Sequence, residues 1–356
     1  MAKFAFVVHP IVAKDAAKRY PILKYVPDRA IEWLIKHRKS DVMAHVTGLQ
    51  SKTGATAEGI YIGCPLTPGM MMQRMPLNQV YDELTYCTEL AHREGAKLIG
   101  LGAFTSVVGD GGITVEKRSP IPVTTGNSYT VATAIEGALR AAEMVGVDKA
   151  ASRLAVVGAT GSIGRTCAMV MAPMFRDTVL IGRDLDRTAA IAAQLPRATA
   201  SIDINELRTA DLVVTVTSAE TAIIEPEHLR RGAIVCDVSR PRDTSVRVAK
   251  ERPDVLVIEG GVVKVPGNVD FGMTFGFPPG TAYACMSETM MLALEDKLES
   301  FTLGKEVSVE QVEETNRLAA KHGFEVAGFR AFERGVDDAA IERTRQARME
   351  FAGSLA

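Results

Sequence analysis

One cysteine stands where a thiol could act as a nucleophile. Cys285 comes shortly after Gly280, and the apolar spacing around it predicts a helix from about Thr281 to Leu298. A thiol in the first turn of a helix lies at the positive end of the helix dipole, which favours the thiolate and lowers its pKa. A cysteine at such a position can equally be a small buried hydrophobe. The residues by themselves leave both interpretations open.

Two polar residues are candidates for the same site. Glu288 lies one helical turn after Cys285, where its carboxylate could tune the thiol, hydrogen-bond within the site or be an ordinary helix residue. Asn127 precedes a predicted helix from about Tyr129 to Val145. Its amide could stabilise an oxyanion together with the backbone N–H groups around it, or it could cap the helix.

A glycine-rich loop predicts a dinucleotide-binding site. The loop follows a β-branched run, Arg153 to Val157, and precedes a helical pattern. Glycines allow a tight turn there, and the N–H groups at the helix start can bind a pyrophosphate. The residues expected to contact the cofactor are Gly158, Ala159, Thr160, Gly161, Ser162, Ile163 and Gly164.

The end of the next strand indicates which nicotinamide cofactor is bound. NAD enzymes place an acidic residue about 20 residues beyond the glycines to hold the ribose 2′-hydroxyl. Here Arg183 occupies that region and can pair with a 2′-phosphate. NADPH is therefore expected, and Asp184, next in the chain, is the one residue that would favour NADH. Thr217 and Ser218 follow a later strand and are expected to line the nicotinamide side.

The elements around these residues predict an α/β protein. Strands alternate with helices from Arg153 onward, which is typical of a Rossmann-type, doubly wound parallel sheet. We expect an N-terminal α/β substrate domain over 1–127, an NADPH-binding domain over 128–280, and a C-terminal helical segment over 281–356 that carries the nucleophile.

The composition excludes several classes of protein. The 356 residues are 47% hydrophobic and 24% charged with a net charge of −2, so neither nucleic acid nor an anionic membrane is expected as a general partner. The five cysteines lack the spacing of a disulfide framework or a metal site. No apolar run is long enough to span a bilayer, and the N-terminal run is too short for a signal peptide. The sequence therefore predicts a cytoplasmic protein without a metal.

Three motifs, taken together, resemble one enzyme family. The segments Thr124–Thr130, Gly158–Gly164 and Ala284–Glu288 occur in the order and spacing found in the cyanobacterial long-chain acyl-[acyl-carrier-protein] reductases, and the resemblance covers about residues 45–325. It implies that Cys285 is the acylated nucleophile and that Gly158, Gly161 and Gly164 bind NADPH. The charged segment after Phe324 departs from the family pattern.

The resemblance implies a reaction and its partners. A fatty acyl thioester, carried by acyl carrier protein or coenzyme A, would be reduced to the fatty aldehyde through an acyl-enzyme on Cys285. Acyl carrier protein and a downstream aldehyde-using enzyme would be its protein partners.

Two other functions remain open at this level. A shikimate-dehydrogenase-like reductase of a small hydroxy acid would show a similar fold, but would need a Lys and Asp pair in the N-terminal domain, and no convincing pair is found there. A redox sensor would bind NADPH without turning over a thioester.

Overall fold

The computed structural model describes residues 2–18, 21–332 and 334–353. The strands, in chain order, are β1 (Ala2–Val8), β2 (Asp41–Gln50), β3 (Thr56–Gly63), β4 (Leu98–Gly100), β5 (Val123–Thr124), β6 (Arg153–Val157), β7 (Asp177–Ile181), β8 (Ala198–Ser201), β9 (Leu212–Thr215), β10 (Ile234–Asp237), β11 (Leu256–Glu259), β12 (Val262–Lys264), β13 (Gly267–Asp270), β14 (Thr281–Tyr283), β15 (Glu325–Val326), β16 (Arg330–Ala331) and β17 (Arg334–Gly335).

The α-helices, in chain order, are α1 (Asp28–Lys36), α2 (Leu77–Arg93), α3 (Ile113–Arg118), α4 (Asn127–Val145), α5 (Ser162–Met171), α6 (Leu185–Ala192), α7 (Val246–Glu251), α8 (Ala284–Leu294), α9 (Val309–His322) and α10 (Asp338–Gly353). Single turns of 3-10 helix lie at Ala13–Lys18, Pro21–Tyr25, Ala103–Ser106, Lys149–Ala151, Ala172–Met174, Ile204–Thr209 and Pro226–His228, and one π turn lies at Met70–Arg74.

The chain divides into two compact units. Unit 1 comprises residues 1–129, 263–305 and 314–325, and unit 2 comprises residues 130–262, 306–313 and 326–356. This division differs from the expected one, because the segment 281–356 is shared between the units and does not form a body of its own. The chain returns to complete a unit that it had left, and local sequence patterns carry no sign of such a return.

Unit 2 contains the doubly wound sheet that the sequence predicts. Its six strands have the order β11-β10-β9-β6-β7-β8 and are all parallel. Read from β6, this is the Rossmann order, in which ligands bind beyond the carboxyl ends of the strands. Strands β6 and β9 are the central strands and pair on both sides. They are therefore almost wholly buried and rich in Val and Leu. The predicted fold class is confirmed.

Unit 1 is built on a mixed sheet. Its order is β13-β2-β3-β1-β4-β5, with β3, β1, β4 and β5 parallel and β2 antiparallel to β3. Helix α2 buries Val80, Leu84, Cys87 and Ala91, the helical stripe visible in the sequence, within the core on this sheet. Helix α8 packs on β1 and β4. The carboxyl ends of the parallel strands and the start of α8 therefore frame one region of the unit.

The C-terminal segment from Val326 onward belongs to unit 2. Arg348 of α10 donates hydrogen bonds to Asp211 (2.7 Å) and to Ser152 (2.9 Å). These residues immediately precede β9 and β6, so α10 docks at the amino ends of the sheet. Ile341 and Ala347 of the same helix are buried. The extension is an integral part of unit 2.

Candidate active site

The glycine loop of unit 2 has the backbone that a dinucleotide requires. It joins the end of β6 to the start of α5. Gly158 has φ +82°, and a Cβ there would overlap the carbonyl oxygen of Val216. A Cβ on Gly164 would overlap the Gly158 carbonyl. Gly161 caps α5 without any side-chain hydrogen bond, so the N–H groups of the first turn are left for a ligand. These features fit a pyrophosphate.

The end of β7 fits a phosphorylated ribose. Arg183 is exposed and has no ion-pair partner among the described residues. Asp184, the residue that left NADH open, caps α6 by accepting a hydrogen bond from the Arg187 N–H at 3.1 Å. Because this carboxylate is committed to a helix cap, the residue free to bind at this position is the cation. The arrangement favours NADPH over NADH.

A buried aspartate organises the loop after β9. Asp243 accepts hydrogen bonds from the hydroxyl groups of Thr215 (2.6 Å), Thr217 (2.5 Å) and Ser239 (2.5 Å). The Thr217 side chain is therefore used within the protein, whereas Ser218 is exposed. Thr217 and Ser218 remain predicted nicotinamide contacts. Sequence reasoning missed Asp243, whose only signal is its place in the polar run that follows β10.

A second carboxylate lies beside this one. Asp237, at the end of β10, is fully buried, and burial together with the charge of Asp243 raises its pKa to about 6. It accepts hydrogen bonds from the backbone N–H groups of Ser239 and Thr244. The two aspartates thus hold the loops at the ligand-binding edge of the sheet.

In unit 1, Cys285 is the second residue of α8. Tyr283 is the N-cap and offers no side-chain hydrogen bond. Backbone N–H groups of Met286, Cys285 and Ala103 are directed at the sulfur and lower its pKa. Burial is the larger effect, and with the nearby charge of Glu288 it raises the pKa of the thiol to about 12. Of the two interpretations left open by the sequence, this pKa favours the neutral thiol, because the loss of hydration outweighs the effect of the helix start.

Two glycine loops press against Cys285. Gly126 follows β5 with φ +73°, and a Cβ there would overlap Cα and Cβ of Cys285. A Cβ on Gly102, which follows β4, would lie 3.5 Å from the Cys285 sulfur and would overlap the Phe6 ring. Cys285 nevertheless keeps part of its surface accessible, whereas Cys64, Cys87, Cys167 and Cys236 are all buried. A cysteine that is enclosed by two loops and still partly accessible can bind a ligand.

Asn127 carries a donor with no acceptor. The residue is 4% exposed, and its Nδ2 has no hydrogen-bond partner among the described residues. The hydroxyl of Thr125, fully buried, is also without a partner. These residues flank Gly126, which packs on Cys285. A buried amide left unpaired costs about 1–3 kcal/mol, so a ligand oxygen is the natural acceptor. A helix cap would use Oδ1 and would leave this donor available.

Glu288 is a buried anchor. Its carboxylate accepts hydrogen bonds from Thr124 (2.5 Å), Ser128 (2.6 Å), the Tyr129 N–H (3.0 Å) and Thr302 (3.0 Å). Three of these donors belong to the segment that contains Asn127. Glu288 therefore ties this segment to α8 one turn from Cys285. An ordinary solvated helix carboxylate is excluded by its complete burial.

Other residues near the thiol were not predicted from the sequence. His9, just after β1, accepts a hydrogen bond at Nε2 from the Phe104 N–H (3.3 Å), and burial lowers its pKa to about 4. Tyr61 of β3 donates to the Met286 sulfur at 3.8 Å, and burial followed by the charge of Cys285 raises the pKa of its phenol. Ala103 has φ +48°, a strained value for a residue with a side chain.

The matching family model concerns only part of the chain. Residues 140–259 match the shikimate / quinate 5-dehydrogenase family. That stretch begins in α4 and ends with β11, so it contains the parallel sheet of unit 2 and none of the residues around Cys285.

Two characterised proteins are similar over most of the chain. Aminotransferase PigE of Serratia sp. is 30% identical over 94% of this chain, which spans 41% of that protein. The long-chain acyl-[acyl-carrier-protein] reductase of Synechococcus elongatus is 26% identical over 88% of this chain and 94% of its own length. The second relative is a reductase, and the glycine loop and Arg183 agree with it. The chain has a Rossmann-type fold with a site that fits NADP(H).

Solved structures resemble this protein only distantly. L-Tryptophan dehydrogenase from Nostoc punctiforme is 11% identical with a TM-score of 0.42, covering 99% of this chain and 89% of its own. A chorismate mutase/shikimate 5-dehydrogenase fusion protein from Clostridium acetobutylicum is 9% identical with a TM-score of 0.37, covering 99% and 98%. Among the described residues, none of the helices has the length and apolarity to cross a membrane.

Proposed function

We propose that the protein is an oxidoreductase that reduces a fatty acyl thioester to the aldehyde through an acyl group bound to Cys285. The observation that carries the proposal is the unpartnered Asn127 amide beside a partly accessible cysteine at the start of a helix. Such an arrangement supplies both a nucleophile and a donor for the oxygen of a tetrahedral acyl intermediate. Similarity to an acyl thioester reductase over most of the chain supports the same reaction.

The first step is a thioester exchange. The Cys285 sulfur attacks the acyl carbon, and the carbon–sulfur bond to the carrier breaks. The proton of the Cys285 thiol passes to the departing thiol, so the step is balanced without an external base. Asn127 Nδ2 and nearby backbone N–H groups donate to the oxygen while it bears negative charge. Because the thiolate is the nucleophile and burial raises the pKa of this thiol, the sulfur must lose its proton as it attacks.

The second step is the reduction. NADPH, when bound at the glycine loop and Arg183, supplies a hydride. The acyl carbon accepts it, the bond to the Cys285 sulfur breaks, and the aldehyde leaves. The sulfur then takes a proton from water and the thiol is restored. Asn127 stabilises the oxygen in this step as well.

The test is the mass of the intact protein after incubation with an acyl thioester in the absence of NADPH. We expect one acyl adduct, located on Cys285, which disappears when NADPH is added. Cys285→Ala should form no adduct and no aldehyde, while Cys87→Ala, which removes a buried thiol of the same unit, should retain both. An adduct-free wild-type protein, or a C285A variant with full activity, would contradict the proposal.

The family match favours a second candidate, a shikimate-dehydrogenase-like reductase of a small hydroxy acid. The matched residues, 140–259, supply the nucleotide-binding sheet of unit 2, and the match does not bear on which substrate unit 1 binds. NADP⁺-dependent oxidation of shikimate or quinate distinguishes the candidates, because this reaction should be indifferent to Cys285→Ala. If the protein bound NADPH but converted neither substrate class, the result would favour the redox sensor.

A further inference from the structure

The N-terminal lobe, residues 11–18 and 21–39, has a small core of its own. It consists of two 3-10 turns and α1, and its buried residues are Ala13, Leu23, Ile31 and Ile35. Ile31 and Ile35 lie one turn apart, so they use the inward face of α1. The lobe therefore satisfies its packing without its remaining apolar residues.

Those remaining residues are large and exposed. Tyr25 is 89% exposed, Ile22 74% and Trp33 64%, and Val12 and Leu34 are also exposed. Side chains this exposed stand clear of the surface and cannot line a concave site. Isolated exposed apolar residues are common, but several in one short lobe mark an interaction surface.

The charges beside these residues are positive. Lys24, Arg29, Lys36 and Lys39 are exposed, and no ion pair holds them among the described residues. The acidic residues of the lobe are already used: Asp28 pairs with Lys14, Asp15 accepts from backbone N–H groups, and Glu32 binds Arg74 and Thr67. The lobe thus presents free cations although the chain has a net charge of −2.

We propose that the N-terminal lobe binds the surface of an anionic phospholipid membrane. Protruding aromatic and aliphatic side chains can enter the boundary between headgroups and acyl chains, where Trp and Tyr are favoured. Unpaired Lys and Arg attract anionic headgroups. A protein partner would need a matching cavity for each protruding side chain, whereas a fluid lipid layer adapts to them. The proposal concerns binding alone and does not depend on the reaction at Cys285.

The lobe contains its own reporter, because Trp33 is the single tryptophan of the chain. Vesicles of phosphatidylcholine with about a third phosphatidylglycerol should shift Trp33 emission to shorter wavelength and carry the protein upward in a flotation gradient. Pure phosphatidylcholine vesicles should bind much less, and high salt should release the protein. Lipids brominated on the acyl chain should quench the emission.

Variants that keep Trp33 define the contribution of each group. Tyr25→Ser should weaken partitioning, and Lys36→Glu with Lys39→Glu should weaken it by at least about fivefold per cation, which corresponds to about 1 kcal/mol each. Ile202→Ser and Lys250→Glu, at exposed positions of unit 2, are the matched controls and should bind like wild type. Reduction of a water-soluble thioester should be the same in all of these proteins.

Three results would overturn the proposal. The first is an unchanged emission spectrum with anionic vesicles. The second is an equal loss of binding in the unit 2 controls. The third is a shift that appears only with an acidic acyl carrier protein, or only as protein concentration rises without lipid, since these would assign the surface to a protein partner or to a second copy of the chain.

Discussion

At the scale of single residues, the site combines a thiol of raised pKa with a side-chain amide that has no hydrogen-bond acceptor. Burial favours the neutral thiol of Cys285. The Nδ2 group of Asn127 has no hydrogen-bond acceptor among the described residues. The unpaired amide is costly in the protein alone and becomes favourable when an acyl oxygen accepts its hydrogen bond. Catalysis of this kind depends on interactions that strengthen in the transition state.

Asn127→Ala should reduce kcat by about 10²–10³ and change KM little, as expected when one oxyanion donor is lost. Because Nδ2 has no partner in the free protein, the melting temperature should barely move. Steady-state kinetics and a thermal melt check both. Asn78→Ala, on the exposed side of α2, is the control. A large loss of stability with normal kcat would identify Asn127 as a helix cap only.

Glu288→Gln should lower the pKa of Cys285, because the carboxylate charge is one of the causes that raise it. The rate of iodoacetamide alkylation at pH 8 should therefore increase. The same change leaves the Tyr129 N–H or another buried donor imperfectly paired, so the folded state should lose about 1–3 kcal/mol. Cys285→Ser provides the background alkylation rate. Slower alkylation of the folded variant would contradict this assignment.

Arg183→Ser should raise the KM for NADPH by about 10–100-fold, the loss of one charge-assisted contact to phosphate. The KM for NADH should stay the same and serves as the internal control. If both constants rose together, Arg183 would contribute to the fold of the loop and not to the 2′-phosphate contact.

At the scale of elements, α10 is the segment whose role could not be read from the sequence. Its Arg348 joins Arg230 in pairing with the buried carboxylate of Asp211. Arg348→Leu should cost unit 2 about 1–3 kcal/mol, because its hydrogen bonds to Asp211 and Ser152 are lost while Arg230 still pairs with Asp211. Denaturant unfolding measures the loss. Arg343→Leu, on the exposed surface of the same helix, should have little effect, and equal losses in both variants would contradict the docking role.

The elements of unit 2 could be predicted and several of unit 1 could not. Strand β6, the glycine loop and α5 are contiguous in sequence, and the period of the apolar residues changes there from strand to helix. Strands β2 and β3 were missed because two bulges interrupt their register and the second half of β3 is buried without alternation. The first residues of the helix predicted from about Thr281 form the short strand β14 instead, and the observed helix begins at Ala284.

The contacts around Cys285 could not be predicted from local sequence patterns, for a different reason. Glu288 meets Thr124 and Ser128 across about 160 residues of chain, and His9 meets the Phe104 N–H across 95. The residue types were visible in the sequence, but the pairing exists only after the sheet forms. The sequence left the direction of the Cys285 pKa shift open for the same reason, since burial is a property of the folded unit.

At the scale of the whole molecule, acid should destabilise the protein through His9. Its folded pKa is about 4 against 6.5 when unfolded, so the unfolded chain binds more protons between these values. Stability should therefore rise with pH across that interval and fall on acidification. Melting temperatures from pH 7 to 4 should decline less in His9→Gln than in wild type. Parallel curves would show that His9 does not carry this dependence.

The glycine that directly follows the second strand of unit 2 limits how the coenzyme preference could be changed. Gly182 is where an NADH enzyme would carry its acidic residue, yet any side chain there would collide with the Thr188 hydroxyl, which donates to the Asp184 carbonyl at 2.6 Å. Engineering a preference for the cheaper coenzyme would therefore require rebuilding the first turn of α6 together with the strand end. Exchanging Arg183 alone would remove one preference without creating the other.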